Sequence, residues 1–269
     1  MSDLGLTCLI ALEDWDDLDP DLLVSAIQRL SPRSSATAYR VVADPGEDAL
    51  MVSVDGHDFA VAVMAGQIPE PDLSDAMTQS VFWRDAASEV ARHRAFAVLS
   101  AVERQVSLGL TRAQAIALTS LAAGVAECLP SLGLYWRGAE GLVPPSRLLS
   151  AQREIAQNYW PVDIWIGYSF YRRGDGHEQM IGVQSRGALD YLGFEVEVPP
   201  LRIIDDDWKE PLRILFTTLA HLIALGQKIR DGQQVEIPGE RRTSWQLHTN
   251  TSSGIPLACL TLVAQQAQA

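Results

Sequence analysis

The residues able to do chemistry in this 269-residue chain are few and far apart. Its five histidines, His57, His93, His177, His221 and His248, form no H-x-x-x-H or H-E-x-x-H pair, the spacings that set metal-binding imidazoles on one helix face. His177 with Glu178 and Asp175 is the one local concentration, and it falls in a Gly-Asp-Gly turn where solvated polar residues are expected. Cys8, Cys128 and Cys259 stand in apolar runs without the spacing of a zinc or redox motif, so they read as buried small hydrophobes of a reducing compartment. No G-x-S-x-G sets a serine nucleophile on a strand-to-helix turn, and no Gly-rich loop opens a helix to cradle phosphate. These patterns predict no catalytic constellation, no metal set and no cofactor.

Paired carboxylates are the remaining source of acid–base chemistry. The two acidic runs, EDWDD (13–17) and DDD (205–207), both precede helical segments, where negative charge complements the helix dipole. Capping is therefore their expected role. His93 stands where a helix hands over to a strand, ten residues after Trp83, and reads as a hydrogen-bonded junction residue. His221 lies on the apolar stretch of a long helix and reads as a core histidine.

Aromatic side chains offer a different kind of function. The stretch NYWPVDIWIGYSFYRRGDGH (158–177) holds two of the seven Trp and three of the six Tyr. Read as a strand, it puts Ile164, Ile166, Tyr168 and Phe170 on one face and Trp165, Gly167, Ser169 and Tyr171 on the other. The first set suits a helix-covered face. The second, with Gly167 opening space beside Trp165, suits a solvent-facing groove or a packed interface, core packing being the default; Trp and Tyr serve as contact anchors because they bury much area while losing few rotors. Trp83, His93, Trp136, Trp165, Tyr168 and Tyr171 are thus the candidate binding residues.

The elements that must position them follow from periodicity. LTCLIAL reads as a fully buried strand; Asp19-Pro20 caps and starts a helix with Leu22, Leu23, Ala26, Ile27 and Leu30 on one face. Three antiparallel strands follow, the last two joined by Asp55-Gly56, which suits a tight hairpin. Helical segments lead to the strand 94–102. The TRAQ box at Thr111–Gln114 is expected to cap a helix running to Leu129, and LGLYW and PPSRLLSAQREIAQN read as a strand and a helix. The second half repeats the rhythm: VDIWIGYSFYRR and QMIGVQS, a short helix ending at Gly193, FEVEV, a long helix ending before Gly232, and two last strands. The predicted class is α+β, helices on antiparallel sheets, as one extended sheet or two ferredoxin-like halves, 1–105 and 106–269, joined near 103–110.

Composition bounds the partners. The net charge of −13 argues against generic phosphate-backbone binding and against an anionic membrane surface, and it favours a basic partner. The N-terminus has no basic leader, and its apolar run is too short to span a bilayer, which predicts a soluble cytoplasmic protein.

A family resemblance adds to this. IPEPDL, VFWRDAASEVARHRAFAVLS, LYWRGAEGLVPP, DIWIGY and SRGALDYLGFEVEVPP, in that order and followed by a long helix ending in DG, resemble the bacterial proteins of domain of unknown function 4261, over roughly residues 50 to 265. The resemblance implies that Trp83, His93, Trp136, Trp165, Gly187, Gly193 and Gly232 are family positions, and it carries no activity. Acidic, cofactor-poor α+β proteins of this kind resemble immunity proteins that neutralise secreted toxins. The first expectation is therefore a non-enzymatic module binding a protein partner, a basic toxin being the type expected. The alternatives are an enzyme or small-ligand binder with a pocket near His93, Trp136 and Trp165, and a structural subunit of a bacterial assembly. Oligomeric state is left open.

Overall fold

The computed structural model describes residues 6–42, 48–80, 82–103, 108–173, 180–202, 209–226, 232–236, 243–250 and 256–264; within these, side chains are not described at 42, 48, 70–72, 78–79, 108–110, 234–236, 243–250 and 261–264. The chain is α+β, in two compact units, Met1–Trp165 and Ile166–Ala269.

The first unit runs β1 (Thr7–Leu12), α1 (Pro20–Leu30), β2 (Ala36–Val42), β3 (Asp48–Val54), β4 (His57–Ala65), α2 (Glu70–Gln79), α3 (Ala86–Val90), β5 (Ala95–Ala101), α4 (Leu108–Cys128), β6 (Ser131–Trp136), β7 (Gly141–Val143), α5 (Pro145–Ala156) and α6 (Val162–Trp165). Its seven strands form one antiparallel sheet in the order β2-β3-β4-β5-β1-β6-β7. All of β1 is buried. It lies near the middle of the sheet with helices on both sides, which explains its unbroken apolar run.

One face of this sheet lies under α1, α4 and α5. Leu50, Val52, Phe59, Val61, Leu99, Ile10 and Trp136 are buried there with Leu118, Leu121 and Val125 of α4. The other face, over β1, β6 and β7, holds Leu9, Ala11, Tyr135 and Leu142 against Ile68, Leu73, Ala86 and Val90 from α2, α3 and their connections. Because α4 buries its stripe on the first sheet, the chain contacts carry across 103–110, where a joint between halves was expected, and the units divide at 165/166 instead. The long helix also starts earlier than the TRAQ box predicts. Thr111 is buried one turn inside α4, and Gln114 donates to the Glu103 carbonyl at 3.0 Å, tying the helix to the segment before it.

Helix α1 matches its expected cap. The Asp19 side chain accepts from the Asp21 and Leu22 N–H groups at 2.8 and 3.0 Å, with Pro20 behind it. Of the expected apolar face, Leu23, Ala26 and Ile27 are buried, whereas Leu22 is 64% exposed.

The second unit runs β8 (Gly167–Arg173), β9 (Met180–Arg186), α7 (Leu189–Leu192), β10 (Glu195–Arg202), α8 (Glu210–Leu225), β11 (Gln234–Glu236), β12 (Thr243–Asn250) and β13 (Leu257–Ala264). Six strands form a sheet in the order β11-β12-β13-β10-β9-β8, antiparallel except for the β10–β13 pair. Helix α8 covers one face with Leu212, Leu215, Leu219 and Leu222, over Ile181, Val183, Val196 and Val198. These seven- and six-stranded sheets exceed a ferredoxin-like half, and two sheets replace the single extended one that was the other option. Residues 43–47, which hold most of the DPGED turn, the 174–179 turn with Asp175, His177 and Glu178, and the acids 205–207 lie outside the described residues. The long helix ends at Leu225 with Gly226 in the left-handed region as its cap, short of the end expected just before Gly232.

Candidate functional site

The six residues expected to bind are positioned by separate local causes. Trp165 ends α6 rather than lying on a strand. Pro161 starts that turn and its carbonyl accepts from Ile164 and Trp165 N–H groups. The turn is fixed by Arg147 of α5, whose fork donates to Asp163 at 2.5 and 2.6 Å and to Glu154 at 2.8 and 2.9 Å. Burial alone would lower the Arg147 pKa, but the two carboxylates raise it above the ordinary guanidinium range. With the turn held, the Trp165 ring is 0% exposed and its indole N–H donates to Thr119 Oγ1 of α4 at 2.9 Å. Trp160 stacks on it at 6.5 Å between ring centroids, with the Arg112 guanidinium 5.2 Å from the Trp160 ring. The alternation that paired Trp165 with Tyr171 is therefore broken at Gly167, where the strand begins.

The remaining first-unit candidates are also structural. Trp136 is 1% exposed and pairs in register with Cys8. Trp83 packs on the other face of β6, where a side chain at Gly133 would come within 2.9 Å of its ring. One strand thus separates the two tryptophans. His93 is 3% exposed; Ile68 N–H donates to its Nε2 at 2.8 Å, so its Nδ1 carries the proton and donates to the Val90 carbonyl at 2.6 Å. Both ring nitrogens are used in joining α3 to the segment before α2. The junction role expected from the sequence is the one observed. The pocket expected near His93, Trp136 and Trp165 does not form from these side chains, because each is sealed in packing.

In the second unit, Tyr168 is buried under α8, its ring 4.6 Å from that of Phe216. Phe170 shares that face, as the alternation predicts. Tyr171 points the other way, is half-buried, and donates its phenol to Glu197 Oε1. It lies across from Gly182, where any side chain would collide with its ring. Burial first, and then Glu197, pushes the Tyr171 pKa well above the usual phenol range. Gly187 and Gly193 adopt positive φ at the ends of α7, and Gly232 does so after α8.

The sequence reading passed over Trp15. It was counted inside an acidic run assigned to capping, but Asp19 alone caps α1, and EDWDD forms an exposed loop after β1. Asp14 and Asp16 accept only the backbone N–H that follows each, at 2.9 and 2.8 Å. Asp17 pairs with Arg40 at 2.9 Å. Glu13, Asp14, Asp16 and Asp21 have no cationic partner among the described residues. The Trp15 ring, in the middle of these carboxylates, is 55% exposed. Single exposed apolar side chains such as Met64 or Tyr159 are ordinary on any protein; an indole held among uncompensated acids combines a contact anchor with a field. The available signal was the tryptophan itself, an apolar ring set among four acids ahead of the capping Asp19.

Among the residues whose side chains are described, no three His, Cys, Asp or Glu groups cluster as a metal set, and no described helix is long and apolar enough to cross a membrane. No protein-family model matches the chain, and no curated protein or solved structure matches it either.

Proposed function

We propose that the chain is a non-enzymatic protein-binding module of the immunity type, which sequesters a basic protein partner such as a toxin through the acidic loop around Trp15. The observation that carries this reading is the 55% exposed indole flanked by carboxylates that no described cation neutralises. Tryptophan buries a large area on contact, and truncating such an anchor removes a disproportionate share of binding energy. The surrounding acids attract a basic surface over about 8 Å at physiological ionic strength and speed its encounter. The net charge of −13 extends that attraction to the whole molecule. The resemblance to domain of unknown function 4261 and a cytoplasmic location belong to the same reading. Burial of His93, Trp136 and Trp165 removes the support for a small-ligand pocket at those residues.

The test is capture by the tagged full chain from a lysate of the native cell, alongside Trp15→Ala. The reading expects a basic protein that is retained by the unaltered chain, released by salt and lost with Trp15→Ala. Capture of no basic protein, or retention indifferent to Trp15→Ala, would overturn it.

A further inference from the structure

Four described strands form the edges of the two sheets, and three of them are blunted. β7 and β11 are three residues long, and β8 ends in Arg172 and Arg173. Short length and charge are ordinary ways of keeping an edge from pairing further. β2 differs. It runs for seven residues, ATAYRVV, rich in β-branched and aromatic side chains, with no proline and a single charge, Arg40. That charge is already engaged: Arg40 donates to both carboxylate oxygens of Asp17, at 3.0 and 2.9 Å, and to the Leu18 carbonyl at 3.2 Å.

Register shows what this edge offers. The Asp55 N–H donates to the Ser35 carbonyl at 2.9 Å, one step beyond the Ala36–Val54 pair. Bonded and non-bonded pairs alternate along an antiparallel ladder. Thr37, Tyr39 and Val41 therefore bond to β3, while Ala36, Ala38 and Arg40 turn their N–H and C=O groups outward, where β2 has no neighbouring strand among the described residues. The two faces of the strand also differ. Tyr39, 61% exposed, and Val41 stand beside Met51 and Ala49, away from α2 and α3, which pack over β1, β6 and β7. On the opposite face Arg40 reaches the loop that carries Trp15, a ring two residues, or at most about 7 Å of chain, from Asp17. Asp14 and Asp16 on either side of that ring accept only backbone N–H groups.

We propose that the basic partner adds an extended strand to β2, its apolar side chains lying beside Tyr39 and Val41 and alternating with lysine or arginine directed at the Trp15 loop. The partner's charge rests on the reading of that loop given above; the mode of binding is new. Strand addition draws affinity from main-chain hydrogen bonds and specificity from alternate side chains, which here meet an apolar face on one side and unpaired acids on the other. Charge selects the occupant. A second copy of the chain would bring its own net charge of −13 against the same acids. Arg40, held by Asp17, repels an incoming cation less than a free guanidinium would.

The probe is a synthetic peptide of alternating lysine and valine, about eight residues long so as to span β2. It is titrated into the full chain by calorimetry, beside a peptide of the same composition with its lysines and valines in separate blocks. The alternating peptide should bind and the blocked one should bind more weakly. Ala38→Pro deletes one outward N–H and should weaken the alternating peptide by about tenfold or more; Trp15→Ala should weaken it as well. Binding lost with Trp15→Ala but kept with Ala38→Pro overturns strand addition and leaves the Trp15 loop as the contact. The reverse pattern keeps the edge and removes Trp15 as the anchor. No binding, equal binding of the two peptides, or a dimer of the chain that disappears with Ala38→Pro would also overturn the proposal. Since proline can unfold an edge strand, a second measurement uses the unaltered chain. The alternating peptide should slow amide hydrogen exchange at Ala38 and Arg40, read by NMR, while Thr37 and Tyr39, already bonded to β3, change little. Unchanged exchange at Ala38 and Arg40 counts against the edge.

Discussion

Trp165 and Trp15 lie in one unit, yet the first is 0% exposed with its N–H on Thr119 and the second is 55% exposed among carboxylates. Both sit in short stretches where acids neighbour an indole: Asp163 precedes Trp165 by two residues, and Asp14 and Asp16 flank Trp15. What separates them is the fate of the acid. Asp163 is taken up by the Arg147 fork, which pins its turn and lets the neighbouring ring pack. Around Trp15 only Asp17 finds an arginine, and that arginine is exposed on β2. An acid neutralised by a half-buried cation helps to close a core, whereas acids left to solvent keep a ring at the surface.

That contrast can be broken most forcefully at Trp165. Trp165→Ala should cost about 3–5 kcal/mol of stability through the lost ring and the cavity it leaves, read as a fall in urea midpoint. Trp15→Ala should leave the same midpoint within about 0.5 kcal/mol while costing about 2 kcal/mol or more in affinity for the captured partner, measured by calorimetry. If the two substitutions had equal effects on unfolding, the distinction between a core indole and a contact indole would be lost. Gly133→Ala probes the opposite face of β6: the added methyl presses on Trp83 and Val90, and a loss of about 1–3 kcal/mol is expected in the same unfolding experiment. The smallest effect belongs to the acids. The double substitution Asp14→Asn with Asp16→Asn should change stability by no more than about 0.5 kcal/mol, yet flatten the salt dependence of the partner's association rate in stopped-flow measurements.

Much of the fold was legible because its signals are local. Asp19-Pro20 marked the start of α1, Asp55-Gly56 the β3–β4 hairpin, and the apolar run of β1 its burial on both faces. His93 was legible as a junction for the same reason, since its partners Val90 and Ile68 lie within its own neighbourhood of the chain. The candidate site was much less so. VDIWIGYSFYRR looks continuous as a strand, but Pro161 and a salt bridge to Arg147, sixteen residues earlier in sequence, turn its first part into a helix. Trp15 was hidden by a correct rule applied one residue group too widely: acids do gather before helices, but only Asp19 was needed as the cap.

By itself the sequence determined the α+β class, the caps and turns, the odd number of widely separated cysteines and the strongly acidic balance, because each depends on side-chain type or on spacing within a few residues. Tertiary structure alone decided that Trp165 is sealed while Trp15 is presented, and that the units divide at 165/166. The physical reason is that burial and strand register are set by contacts between distant segments, and such contacts leave no period in the linear chain.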